Sequence, residues 1–195
     1  MIDDLNIRRA YWDVHVNRAP REQHDMTDSI PYPFEGEEWR FYHKDVLEIG
    51  PGHGRQYERL RGAARSYSVC DISPVAMTES VFDSATAKYV MCDYRNDFGA
   101  RFNVVHFWYV LHHIKTTEMD EFFAFVARHL RTGVIAMFNS PQSRNAEEWY
   151  NGDGMGTTWM DRAAVRKVYS LYLETVSVYQ QDRLSSGELF VARKI

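Results

Sequence analysis

The chain has 195 residues and a formal net charge of −4. That length fits one domain able to bury roughly two thirds of its unfolded surface, and the acidic balance disfavours a nucleic-acid partner, which needs a basic face. No run approaches the roughly 20 apolar residues of a membrane span. The N-terminal Met1-Ile2-Asp3-Asp4 lacks an apolar signal core, and the two cysteines, Cys70 and Cys92, are too few for a disulfide scaffold. These features lead us to expect a cytoplasmic protein with two buried, reduced thiols and no membrane partner.

Residues 5 to 19 place Tyr11, Trp12, Val14 and Val16 at helical spacing, so a helix is expected there. Residues 20 to 44 alternate charge with aromatics and read as a loop or short helices, with Trp39, Phe41 and Tyr42 expected to be buried. From residue 45 strand and helix alternate. Asp45 to Ile49 is a strand, and Arg55 to Leu60 starts a helix that Gly62 can end. Tyr67 to Cys70 is the next strand. Ser73 can cap a helix with Pro74 in its first turn. Tyr89 to Cys92 and Phe102 to Phe107 are strands three and four. Thr117 opens a helix with Met119, Phe122, Phe123, Val126 and Leu130 on one face, and Asp120 completes the pattern of a capping box. Val134 to Phe138 is strand five. Residues 139 to 158 read as a long irregular loop. A helix over Asp161 to Tyr169 precedes a hairpin of Leu173 to Arg183 and Leu189 to Arg193, turned at Ser185-Ser186-Gly187. Alternating strand and helix implies an α/β fold, a mostly parallel sheet with helices on both faces.

The first strand breaks into Gly50-Pro51-Gly52-His53-Gly54. A glycine-rich turn after a strand lets backbone amides approach a polar ligand where a Cβ would clash. The dinucleotide fingerprint needs a third glycine at position 55, which is Arg55. An acidic residue, Asp71, ends the next apolar run about 20 residues on, where a ribose partner is expected. Leu47-Glu48-Ile49-Gly50-Pro51-Gly52-His53-Gly54 resembles the first motif of the class I S-adenosylmethionine-dependent methyltransferases. The resemblance covers residues 45 to 138 well, the terminal hairpin in pattern, and residues 1 to 44 hardly at all. It implies a Rossmann-like fold whose seven-stranded, mostly parallel sheet has one antiparallel strand from a C-terminal hairpin. We expect one structural domain, with residues 45–195 holding the cofactor and residues 1–44 as a helical and loop cap over the active site.

The same resemblance assigns cofactor roles by position. Gly50, Pro51, Gly52 and Gly54 would wrap the methionine part of S-adenosylmethionine, with Glu48 orienting the turn and the amino group. Asp71 would accept from the ribose hydroxyls, since an ionised carboxylate only accepts. Ile72 would pack on the adenine, Asp93 would accept from its exocyclic amine, and the backbone amide of Tyr94 would reach a ring nitrogen. The run His106-Phe107-Trp108-Tyr109-Val110-Leu111-His112-His113 resembles one found in small-molecule members of the family. Phe107 or Trp108 could face the sulfonium cation of the donor.

Methyl transfer is an in-line displacement with a good leaving group, so proximity and orientation can carry it. A base is needed only for an acceptor that is protonated. His112 and His113, and beyond them His53, are the candidates, with at most one of the adjacent pair expected to face the pocket. No metal is expected, because no Cys pair or His-Glu-x-x-His spacing is present and His106 stands where metal-dependent members carry Asp. Neither the Pro-Pro-Tyr/Phe nor the Pro-Cys motif of nucleic-acid members follows strand four. Acceptor contacts fall to residues 1 to 44, with Tyr11, Trp12, Tyr32, Phe34 and Trp39, and to residues 139 to 160, with Trp149, Tyr150 and Trp159. Arg8, Arg9, Arg18 and Arg21 could pair with a carboxylate or an anionic acceptor, or simply form a solvated face. Gly152, Gly154 and Gly156 allow a flap or a plain surface loop. The expected activity is methyl transfer to an oxygen or nitrogen of a small molecule, releasing S-adenosylhomocysteine. A protein or RNA methyltransferase, a non-catalytic regulator that keeps the cofactor pocket and a nicotinamide-dependent dehydrogenase are the rivals, the last opposed by Arg55.

Overall fold

Nine strands and four helices are laid out in the computed structural model, which describes residues 4–18, 34, 36–140, 147–150, 156–159, 162–180 and 188–195. Helix α1 spans Asp4–Arg18. Strand β1 (Asp45–Ile49) leads into α2 (Arg55–Leu60), then β2 (Ser66–Asp71), β3 (Ala87–Val90) and β4 (Phe102–Phe107). Helix α3 (Met119–His129) runs straight into β5 (Leu130–Ser140). A hairpin of β6 (Glu147–Tyr150) and β7 (Gly156–Trp159) precedes α4 (Arg162–Tyr169), β8 (Leu173–Gln180) and β9 (Glu188–Lys194). The main sheet has seven strands in the order β3-β2-β1-β4-β5-β9-β8, and β6 pairs only with β7. Pairings among β1 to β5 are parallel, while β9 is antiparallel to both β5 and β8. The seven-stranded sheet with one antiparallel strand from the C-terminal hairpin is therefore present. Among the described residues, no helix is long and apolar enough to cross a membrane.

The period-two alternation of each strand feeds two cores. Leu47, Ile49, Cys70, Val105, Phe107, Ala136 and Phe138 face α3 and α4. Val46, Tyr67, Val69, Val104, Met137 and Val191 face the opposite side, where α2, Phe34, Phe41 and Phe82 cover them. Phe107, Phe138 and Phe190 stack in a row across the first face, with centroids 4.9 and 5.2 Å apart.

Several local expectations are corrected. Strand three ends at Val90 rather than Cys92; it is the edge strand, so only half of its residues face the core and its apolar signal is weak. No helix follows Ser73. Its hydroxyl does accept the Ala76 N–H at 3.1 Å, but only two single helical turns form, Ala76–Thr78 and Ser80–Phe82. Helix α3 starts at Met119 without a side-chain cap, and Asp120 instead accepts the Tyr172 hydroxyl at 3.1 Å. Helix α2 ends at Leu60, and Gly62 keeps a negative φ. Strand β5 begins at Leu130 and bulges, its left-handed bend supplied by Gly133 at φ 77°. Residues 147–150 and 156–159 form a hairpin inside what read as an irregular loop. Trp39 and Tyr42 are exposed, and the Arg40 guanidinium lies 4.3 Å over the Trp39 ring. Cys70 is buried and Cys92 is exposed; both are free thiols. The turn expected at residues 185–187, and Gly152 and Gly154, lie outside the described residues, as do Arg21 and Tyr32.

Candidate active site

The chain moves outward from β1 to β2 and β3, then reverses to β4 and β5, so the crevice between β1 and β4 is the topological switch point. Gly50, Gly52 and Gly54 lie there with φ of 65°, 55° and 84°, a region that disfavours side chains by roughly 1–2 kcal/mol per residue. Gly50 donates to the Cys70 carbonyl at 2.8 Å, which ties the turn to the end of β2. A Cβ on Gly50 would meet Val110 Cγ2 at 2.6 Å, whereas one on Gly52 would meet nothing within 4 Å. Gly54 caps α2 and packs on Val81 and Phe82, and Pro51 is buried between these glycines. The turn thus offers open backbone at Gly52 between two tightly held glycines.

Asp71 ends β2 beside this turn. Its carboxylate accepts the Ser73 N–H at 2.8 Å, and burial pushes it up to about 6. Asp13 of α1 lies close enough to add to that rise, and receives the Ser73 hydroxyl at 2.5 Å. Ile72 is half-buried against the α3 side of the core. Asp93 stands three residues past the end of β3, in an exposed turn where its carboxylate accepts the Arg95 N–H and its N–H donates to Asn96. Tyr94 is buried, and its hydroxyl meets Arg8 and Glu118.

Phe107 and Trp108 part ways. The Phe107 ring is enclosed by Phe122, Phe123 and Phe138 in the α3-side core and does not join the site residues. Trp108 faces the other side, against Phe34, and its indole N–H is buried with no partner among the described residues. Gln56 Oε1, in the first turn of α2, is likewise buried without one. Tyr109 adopts a φ of 57°, a strain of about 1–3 kcal/mol that turns the chain sharply after β4. His112 and His113 then lie side by side with ring centroids 3.8 Å apart. Burial and His113 hold His112 down at about 3. Strand β7 lies against this turn.

Helix α1 is fastened over the same strand ends. Arg9 donates to the carbonyls of Ile72 at 2.9 Å and Met91 at 3.2 Å. Arg8 is buried, pairs with Glu118 at 2.6 Å and donates to the His113 carbonyl at 3.2 Å. Trp12 meets the His113 ring edge-on at 5.0 Å. Sequence reasoning offered these arginines as partners of an anion or as a solvated face; their guanidinium groups fasten α1 to the strand ends. Beneath the turn, Glu48 is buried and accepts the Tyr67 hydroxyl at 3.0 Å, which also contacts His106 Nε2 at 2.6 Å. Tyr67 and His106 were not singled out together, because their meeting depends on the register of β2, β1 and β4.

A switch-point glycine turn with a carboxylate at the neighbouring strand end is the architecture of a nucleotide-type cofactor site. A family model described as a methyltransferase domain matches residues 19–180. The fold is shared with 1,6-didemethyltoxoflavin-N1-methyltransferase of Burkholderia thailandensis, solved with its acceptor and S-adenosylhomocysteine: 14% identity, TM-score 0.77, covering 100% of this chain and 91% of that one. DhpI in complex with S-adenosylhomocysteine is similar at 16% identity and TM-score 0.75, over 97% and 96% of the two chains. Magnesium protoporphyrin IX methyltransferase of Synechocystis with bound S-adenosylmethionine is similar at 16% identity and TM-score 0.70, over 100% and 99%. No curated protein matches in sequence. The chain belongs to the methyltransferase-domain family, within the class I S-adenosylmethionine-dependent methyltransferases.

Proposed function

We propose that the protein transfers the methyl group of S-adenosylmethionine to an oxygen or nitrogen of a small-molecule acceptor, releasing S-adenosylhomocysteine. The observation that carries this reading is the pairing of the open Gly52 backbone with Asp71 at adjacent strand ends of the switch point. The residues fit the donor. The positive-φ glycines form a turn whose Gly52 faces open space that a Cβ there would enter, and Trp108 Nε1 and Gln56 Oε1 are buried polar atoms that a ligand could satisfy. The donor supplies an electrophilic methyl on a cationic sulfur. Around it Gly50, Pro51, Gly52 and Gly54 hold the amino-acid part, with Glu48 below; Asp71 takes the ribose; Ile72, Asp93 and the Tyr94 amide take the adenine. Trp108 is the aromatic that faces the cation.

Helix α1 and the β6–β7 hairpin form the walls of the acceptor side, with residues 1–44 acting as a cap on the 45–195 domain. His112 and His113 face the acceptor. A neutral imidazole held near 3 is a weak base, since general-base efficiency peaks when the pKa lies near the working pH. His112 therefore orients the acceptor by hydrogen bonding, and the reacting group arrives already nucleophilic. In these terms the site works by exclusion of water and alignment. Two proteins of similar fold are named as methyltransferases of small molecules, 1,6-didemethyltoxoflavin and magnesium protoporphyrin IX, which supports a small-molecule acceptor.

The test is calorimetry with S-adenosylhomocysteine followed by a product assay. Tight binding to the wild type, weakened at least tenfold in Asp71→Ala, supports the reading. Unchanged affinity in Asp71→Ala overturns the cofactor assignment. Incubation with labelled donor against metabolite fractions and macromolecules then reads the acceptor class; label confined to macromolecules overturns the small-molecule reading.

A further inference from the structure

The buried chain of Glu48, Tyr67 and His106 has an ordering that its atoms dictate. A phenol has one proton. When Glu48 is ionised, Tyr67 donates it to Glu48 Oε2 at 3.0 Å, so at the 2.6 Å contact His106 Nε2 is the donor. In that state His106 is the Nε2–H tautomer, and its Nδ1 carries a lone pair. That atom is buried without a partner among the described residues, and the rings of Phe34 and Phe41 stand perpendicular to the imidazole at 5.2 and 5.4 Å. Burial holds His106 down at about 3, so it brings no positive charge to Glu48. Arg55, at the start of α2, is the charged group among the described residues that acts on Glu48. Burial outweighs both Arg55 and the Tyr67 bond and pushes Glu48 up to about 8. An ionised carboxylate enclosed this way is not fully compensated by Arg55 and the Tyr67 bond, which is costly in a low dielectric.

We propose that Tyr67 and His106 are positioning residues that couple docking of the cofactor's ammonium group on the Gly50–Gly54 turn to release of the proton on Glu48. The proposal rests on the cofactor reading above. Without ligand at neutral pH, Glu48 keeps its proton. An ammonium brought to the turn gives the carboxylate a partner; the O–H bond of Glu48 breaks and the proton leaves to solvent. Tyr67 holds the carboxylate in place through this change, and His106 fixes the direction of the phenol proton. The sign follows: affinity rises with pH below the Glu48 midpoint, because the competent form is the ionised one.

The probe is S-adenosylhomocysteine, titrated calorimetrically between pH 6 and 7.5 in two buffers of different ionisation enthalpy. Carbon-13 NMR of the Glu48 carboxyl in the ligand-free protein gives a readout independent of activity. In the wild type, binding releases about one proton and affinity rises up to tenfold per pH unit. Glu48→Gln binds with no proton release. Tyr67→Phe keeps the ring, moves the Glu48 midpoint further up and weakens binding in this window at least several-fold. His106→Gln, which retains a donor, stays near wild type, while His106→Leu behaves like Tyr67→Phe. An identical Glu48 midpoint in wild type and Tyr67→Phe overturns the positioning role. Binding without proton release overturns the coupling alone. No binding to the wild type at any pH overturns the cofactor reading and the coupling together.

Discussion

The Arg8 guanidinium donates to Glu118 at 2.6 Å, which fastens the first helix to the turn that opens α3, 110 residues further along the chain. The same side chain reaches the His113 carbonyl, and its neighbour Arg9 reaches Ile72 and Met91. Two adjacent arginines thus clamp α1 across the ends of β2 and β3 and the turn after β4, over the ground where a cofactor would lie.

Arg8→Ala should therefore destabilise the protein by about 2 kcal/mol, the scale of lost hydrogen bonds to a charged group, read as a lower urea midpoint. Arg8→Lys should recover only part of this, because an ammonium cannot reach Glu118 and the His113 carbonyl with one planar fork.

The glycines of the turn should respond differently. Gly52→Ala meets open space and carries only backbone strain at φ 55°, about 1–2 kcal/mol. Gly50→Ala adds a 2.6 Å clash with Val110, so it should lose more. The double variant Gly50→Ala/Val110→Ala should regain the clash component in thermal melts but not the strain.

Asp71 is held above the ordinary carboxylate range, up to about 6, mainly by burial. The folded state then binds the proton more tightly than the unfolded state. Stability from this group is present at low pH and is lost as pH rises through the window from the normal carboxylate pKa to about 6. Asp71→Asn should flatten that window and stabilise the ligand-free protein at neutral pH. It should also weaken S-adenosylhomocysteine binding by roughly 1–3 kcal/mol. Denaturation at several pH values, with and without ligand, checks both.

His112 should remain neutral across the physiological range, since burial and its neighbour hold it at about 3. Its ring proton signals should show no titration between pH 5 and 8. A midpoint near the usual histidine value would show instead that it is poised as a base.

Much of the fold was legible because it rests on local chemistry. Covered strands read as apolar runs, α3 carries an unbroken apolar face, and the glycine turn and terminal hairpin announce themselves. The errors fall where local signal is weak. The edge strand β3 has little apolar pattern, so its end was read two residues too far, at Cys92 rather than Val90, and Asp93 lies in the turn beyond it. The β6–β7 hairpin has polar, glycine-rich flanks that resemble a loop.

For the site, the sequence by itself determined the turn and the carboxylate after the next strand, because strand length and glycine spacing are local. It also brought forward His112 and His113 as a pair. Only the tertiary structure decided that Phe107 belongs to the core and Trp108 to the opposite face, that Arg8 and Arg9 fasten α1 to the strand ends, and that Glu48, Tyr67 and His106 form one chain. The reason is register: residues from three strands become neighbours only when the parallel pairings Glu48↔Val69 and Glu48↔His106 are in place, and nothing along the chain encodes that alignment directly.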